Sequence, residues 1–227
     1  MPLFDIRPMV TDVWGRPLAS AWAMRFDIAP ESVKSNIVAT IVSAGAITNL
    51  GGYGGDALYS GLLNSGGGAF VVDDLARYRP MLEDNKANWE GFKSGEVNHA
   101  WTAYPGYLLQ KYILGIQPTS GGFATFDVRP ETGGLTFAEG TVPTVKGLIT
   151  TRWEKAADGK FLLTVKVPAN THASIYIPKP TGKFAITESK KTLWPVSNEK
   201  SPGIIRVSEE KNLIKCDVEA GKYEFKS

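Results

Sequence analysis

The 227-residue chain is 43% hydrophobic and 21% charged, a globular composition that excludes a disordered tail, a collagen-like repeat and a coiled coil. Its net charge of +2 gives no basic field for nucleic acid, and no apolar run reaches the roughly 20 residues that span a bilayer. One cysteine, Cys216, and two histidines, His99 and His172, exclude an intrachain disulfide, a cysteine zinc site and a multi-histidine metal centre. Neither nucleic acid nor a membrane is therefore an expected partner. Met1-Pro2-Leu3-Phe4-Asp5 has no basic n-region or long apolar h-region, so the compartment stays open.

The pattern changes near residue 117. Residues 1–116 carry a net charge of −2 and read as helical; residues 117–227 carry +4 and read as all-β. Leu18, Ala21, Trp22 and Phe26 suggest a short first helix. Pro30-Glu31-Ser32 opens a second, with Val33, Ile37, Val38, Ile41 and Val42 on one face, and Gly45 ends it. Gly51-Gly52-Tyr53-Gly54-Gly55 lacks the Lys-Ser/Thr of a phosphate loop; close approach to a neighbouring helix is the better expectation. Asp56 is placed as the cap of a helix through Leu62 and Leu63. Phe70, Val71, Leu75 and Tyr78 form another stripe, closed by Pro80. A final helix is expected from Val97 to Leu114, kinked or restarted at Pro105 and capped by Gly115.

From Phe123 onward, short alternating runs predict strands over 123–129, 135–142, 145–154, 160–167, 172–177, 203–208, 213–218 and 222–226. Their spacing and Gly/Pro turns predict an antiparallel sandwich. The predicted class is α+β multidomain, split as 1–116 and 117–227.

Candidate chemistry lies in the connection before the final helix. Asn88-Trp89-Glu90-Gly91-Phe92 is followed closely by Asn98-His99-Ala100-Trp101. Carboxylates, an imidazole and indole rings close together suit sugar chemistry: ring faces stack on a pyranose, and a carboxylate can act as base on water. Each residue also has a plainer role, with Glu90 solvated, Trp89 and Trp101 packed, and His99 capping a helix. A separate possibility is a carbohydrate-binding sandwich with Trp153 and Trp194 as platforms, although alternation in Leu148–Trp153 favours core for Trp153. A polysaccharide lyase using Tyr104 and His99 lacks a well-placed arginine.

The segments Asn88–Gly91, Val97–Pro105 and Ile113–Pro118 resemble the C-terminal third of bacterial α-L-rhamnosidases, glycoside hydrolase family 78. So do Val128-Arg129-Pro130, Gly134–Gly140, Val167–Thr171 and Tyr176-Ile177-Pro178. The order agrees from about Asp12 onward. The resemblance implies the last helices of an (α/α)6 barrel followed by a β-sandwich, and an inverting hydrolase of terminal α-L-rhamnosyl linkages that needs no cofactor. It implies Glu90 as general base, and Trp89, His99 and Trp101 beside a rhamnose-containing carbohydrate. The family's general acid sits in an earlier segment, so a fragment or one part of a split enzyme, inactive alone, is expected. An incomplete barrel is further expected to expose stripes such as Val33/Ile37/Ile41 and Leu58/Leu62, and so to associate with the missing N-terminal part or with itself.

Overall fold

The computed structural model describes residues 16–43, 52–84, 87–92, 97–195 and 201–227. The chain divides between Leu108 and Leu109 into two compact units.

The first unit is helical: α1 (Arg16–Arg25), α2 (Glu31–Ser43), α3 (Gly52–Asn64), α4 (Gly68–Asp74), α5 (Arg79–Asp84) and the short α6 (Pro105–Leu108). Glu31 stands in the first turn of α2, where its charge favours the helix dipole. Helices α1 and α3 approach closely at Gly61, because any Cβ there would press on the Ala21 carbonyl and on Met24. Ala21, Met24, Leu58, Tyr59 and Leu62 are buried around this contact.

Several expectations need correcting. Asp56 does not cap a helix; it lies inside α3, where its carboxylate accepts hydrogen bonds from Arg25 and the Tyr107 hydroxyl. The stripe from Phe70 to Tyr78 is α4 followed by a 3-10 turn at Leu75–Tyr78, and Pro80 lies within the first turn of α5 rather than closing a helix. The anticipated apolar stripes are not exposed. Ile37, Ile41, Leu58 and Leu62 are buried and Val33 is half-buried, while Phe26, Ile28, Val42 and Leu82 are among the exposed apolar groups. The predicted helix end at Gly45 and the glycine at 51 lie outside the described residues. Further along the same glycine run, a Cβ at Gly55 would collide with the Tyr104 ring, which is the close approach expected there.

The long final helix is replaced by shorter pieces. Val97 makes an isolated bridge, Ala100–Thr102 is a 3-10 turn, α6 starts at Pro105, and a π turn runs over Leu109–Ile113. Asn98, with φ 60°, leaves helical geometry, and Pro105 supplies no N–H to a preceding turn, so it suits a first helical position.

The second unit is a β-sandwich of two sheets. Its strands are β1 (Ile116–Pro118), β2 (Thr125–Val128), β3 (Phe137–Thr144), β4 (Gly147–Lys155), β5 (Phe161–Val167), β6 (His172–Pro178), β7 (Ile186–Glu188), β8 (Lys191–Trp194), β9 (Ile204–Glu210), β10 (Leu213–Val218) and β11 (Gly221–Lys226). One sheet has the order β1-β2-β6-β10-β9 and the other β3-β4-β5-β11-β7-β8. The purely antiparallel expectation fails at one pair: β2 and β6 run parallel, with Phe126 opposite Ala173. Alternation drives the packing. In β5, Phe161, Leu163, Val165 and Val167 are buried, while Leu162, Thr164 and Lys166 face outward. Trp153 is fully enclosed, its indole N–H donating to the Ile113 carbonyl at 2.7 Å. Cys216 is also interior, and burial pushes its thiol up to about 12, so it is chemically quiet in the native state.

Candidate functional site

Trp89, Glu90, His99 and Trp101 all fall in the helical unit, on the irregular backbone between α5 and α6. Trp89 forms an antiparallel bridge with Val97, and the His99 N–H donates to the Asn88 carbonyl at 3.1 Å. These two links bring together residues eight and eleven apart in sequence.

The hub is Thr102, which is fully buried. Its hydroxyl donates to the Trp89 carbonyl at 2.6 Å, with the His99 carbonyl as a second acceptor at 3.2 Å. The Trp89 N–H points to the Met81 sulfur at 3.5 Å, which ties the segment to α5. His99 is half-buried; its ring meets the Trp101 ring edge-on at 4.8 Å. The His99 Nδ1 atom is enclosed and has no hydrogen-bond partner among the described residues. Trp89 is half-buried, Trp101 is 52% exposed, and Glu90 is exposed. Glu90 and Trp101 thus face solvent, while His99 is held between them in sequence by its ring contact and its backbone hydrogen bond.

An aromatic wall supports the same segment. Phe92 packs edge-on against Tyr78 at 5.2 Å, and the Arg77 guanidinium lies over its ring at 4.6 Å. Arg77 in turn pairs with Asp74 at 3.5 Å, and Asp74 accepts the hydroxyl of the buried Tyr59. Tyr104 stands edge-on to both Tyr59 and Tyr78. Burial raises the phenols of Tyr59 and Tyr78 well above the ordinary range and pushes Tyr104 up to about 12. These rings are neutral packing groups near neutral pH, which removes Tyr104 as a ready base. Thr102 and the Asp74–Arg77–Phe92 chain carried no sequence signal as site residues, because a threonine or an i,i+3 ion pair is unremarkable until the fold brings carbonyls and rings to it.

Thr102→Val keeps the shape but removes the only donor reaching the Trp89 carbonyl from this side chain. The expected cost is about 1–3 kcal/mol in the helical unit, with Thr102→Ser close to wild type, read from urea unfolding curves. Equal stability of the two variants would show that the hydroxyl does not hold the segment.

Two aromatic residues of the β unit were candidates for a separate sugar platform. Trp153 is wholly core, which removes it. Trp194 ends β8 half-buried, with a cis peptide to Pro195. Among the described residues, no group of three or more His, Cys, Asp or Glu is placed to hold a metal ion.

Residues 115–192 match the family model described as the bacterial α-L-rhamnosidase C-terminal domain. An α-L-rhamnosidase of Streptomyces avermitilis is 36% identical over 92 residues, covering 39% of this chain and 9% of that protein. An α-L-rhamnosidase of an Alteromonas species is 26% identical over 192 residues, covering 74% of this chain and 21% of its own length. The crystal structure of the Streptomyces avermitilis α-L-rhamnosidase complexed with L-rhamnose superposes with a TM-score of 0.70 at 20% identity, over 93% of this chain and 21% of that one. The chain thus spans about a fifth or less of the length of these relatives, and it resembles the C-terminal portion of a bacterial α-L-rhamnosidase.

Proposed function

We propose, from the premise that residues 115–192 belong to the bacterial α-L-rhamnosidase C-terminal domain family, that this chain is the C-terminal part of an inverting α-L-rhamnosidase. In this reading residues 1–116 contribute the last helices of an (α/α)6 barrel, and residues 117–227 are the sandwich that follows it. Glu90 is the general base. It takes a proton from a water molecule that attacks the anomeric carbon on the face opposite the leaving group. Trp101 stacks on the sugar, Trp89 borders the pocket, and His99 bonds a hydroxyl through its ring. The general acid, which protonates the departing oxygen, comes from another polypeptide segment. Inversion requires the two carboxyl groups to stand about 6.5–9.5 Å apart, so that water fits beside the sugar. The exposed Phe26 and Ile28 are offered to that remainder of the enzyme or to a second copy of the chain.

The observation that carries this reading is the Thr102 hub, which brings the Trp89-Glu90 segment and His99 within one turn of backbone. The test is a titration with L-rhamnose followed by tryptophan fluorescence. Weak saturable binding is expected, reduced about tenfold by Trp101→Ala, a loss of about 1.4 kcal/mol in line with one lost stacking contact. An aryl α-L-rhamnoside should release little or no phenol with this chain alone, since a positioned acid contributes roughly 10²–10⁴-fold. Binding that ignores Trp101→Ala would remove the sugar pocket. Efficient phenol release would place the acid on this chain.

A further inference from the structure

The outward face of the β3-β4-β5-β11 sheet carries an arrangement that packing does not explain. In register, Thr141, Thr150, Lys166 and Lys222 form one row across four strands. The last two are lysines placed directly opposite one another. Like charges at directly opposed sheet positions repel, and acids that could relieve them are engaged elsewhere. Glu139 and Glu154 hold Arg152 at 2.6 and 2.5 Å, and Glu224 holds Lys226 at 2.7 Å. Among the described residues no carboxylate pairs with Lys166 or Lys222. The two ammonium groups border a hollow of about 600 Å³, which Thr150, Thr164 and the Arg152–Glu139 pair also line. A second hollow of about 540 Å³ adjoins it across Arg152, lined by Phe137, Leu162, Lys155 and Lys160 among others. Phe137 is 58% exposed, and the Arg152 guanidinium lies 5.8 Å from its ring centre.

We propose that this face binds an acidic oligosaccharide, with the Lys166/Lys222 pair holding a carboxylate or sulfate group on one unit. Thr150 and Thr164 bond hydroxyls of the same unit, and Phe137 stacks on a neighbouring one. The hollows are open depressions of small-ligand size on the sheet surface, suited to a saccharide that lies across the face. An anion between the two ammonium groups turns their repulsion into attraction. The opposed cations select for charge, and the hydroxyls with the exposed ring select for sugar. The site lies wholly in the β unit and uses none of the residues assigned to rhamnoside hydrolysis, so it stands or falls apart from that reading.

The experiment is calorimetric titration of the whole chain with four probes: trigalacturonate, a sulfated oligosaccharide, a neutral oligosaccharide of equal length, and inorganic sulfate or phosphate. The first two separate carboxylate from sulfate ester as the natural group. At least one acidic oligosaccharide should bind, at least tenfold more tightly than the neutral one and than the inorganic ions, and binding should weaken with added salt. The double variant Lys166→Gln/Lys222→Gln should lose about tenfold or more. Its thermal midpoint should stay level or rise by up to about 3 °C, which separates a binding defect from unfolding. Equal binding of neutral and acidic sugars, indifference to the double variant, or inorganic ions that bind as tightly as the saccharide would each overturn the proposal.

Discussion

Trp153→Ala is expected to take roughly 4–8 kcal/mol from the β-sandwich. Truncating a buried tryptophan costs about 3–5 kcal/mol through lost transfer energy and the cavity left behind. The orphaned carbonyl of Ile113 adds to that, since an unpaired buried acceptor costs about 1–3 kcal/mol. The indole is fully enclosed, stacks on Phe161 at 5.8 Å and donates to Ile113 at 2.7 Å, so no water can take its place without rearrangement. Small domains are stable by only about 5–15 kcal/mol, and the variant should sit near the edge of folding. Trp153→Phe keeps much of the ring packing and gives up the hydrogen bond, for a smaller loss of about 1–3 kcal/mol. Urea unfolding reads both, and the buried thiol of Cys216 supplies a second probe by its rate of alkylation. If Trp153→Ala unfolds within about 1 kcal/mol of wild type, the indole is not the keystone of this core.

Alternation made Trp153 legible as core before any coordinates, and the same signal located most strands. Runs such as Phe161–Val167 keep one face apolar without interruption, so period two is plain. The short strands escaped. β1 follows directly on Gly115, which reads equally well as the end of a helix. β7 has only three residues, and one of its buried positions is Glu188. A buried carboxylate breaks the alternation, and it is tolerated here because Ser189 and Ser201 both donate to it. Ser201 lies thirteen residues away in sequence, a distance at which no local pattern operates. The parallel pairing of β2 with β6 is hidden for the same reason: register between distant strands is set by the whole sheet.

The segment from Val97 to Leu114 failed differently. Its apolar residues do recur at three and four, but periodicity reports which residues face inward, not whether the backbone is continuous. Asn98 at positive φ and Pro105 at a helix start cut the run into pieces that still bury Tyr104, Leu108 and Tyr112. The proposed site is likewise half legible. Resemblance picked out Trp89, Glu90, His99 and Trp101. Thr102, which the fold uses to join them, lay in the middle of an apparently ordinary helix.

Glu90→Gln is expected to abolish the hydrolysis of α-L-rhamnosyl fluoride by this chain, while leaving the affinity for L-rhamnose within about twofold. Fluoride departs with its bonding electrons and needs no proton, so a general acid, which the proposed reading places on another segment, does not limit this substrate. What remains is the other half of the chemistry. A water oxygen bonds to the anomeric carbon as the C–F bond breaks, and Glu90 accepts the proton that the water loses. A positioned base contributes roughly 10²–10⁴-fold, about 2.7–5.4 kcal/mol of barrier. An amide of the same shape keeps the hydrogen bond to water but cannot take the proton. The exposure of Glu90 suits a group that must reach solvent water, and in the proposed reading the T-shaped His99–Trp101 pair is the edge on which the sugar rests. The product seen first by proton NMR should be β-L-rhamnose, since attack comes from the face opposite the fluoride. Retention of wild-type turnover in Glu90→Gln, or an initial α product, would remove Glu90 as the base of an inverting site. A wild-type chain no faster than buffer would show instead that residues 1–116 do not make a working sugar pocket without the remainder of the barrel.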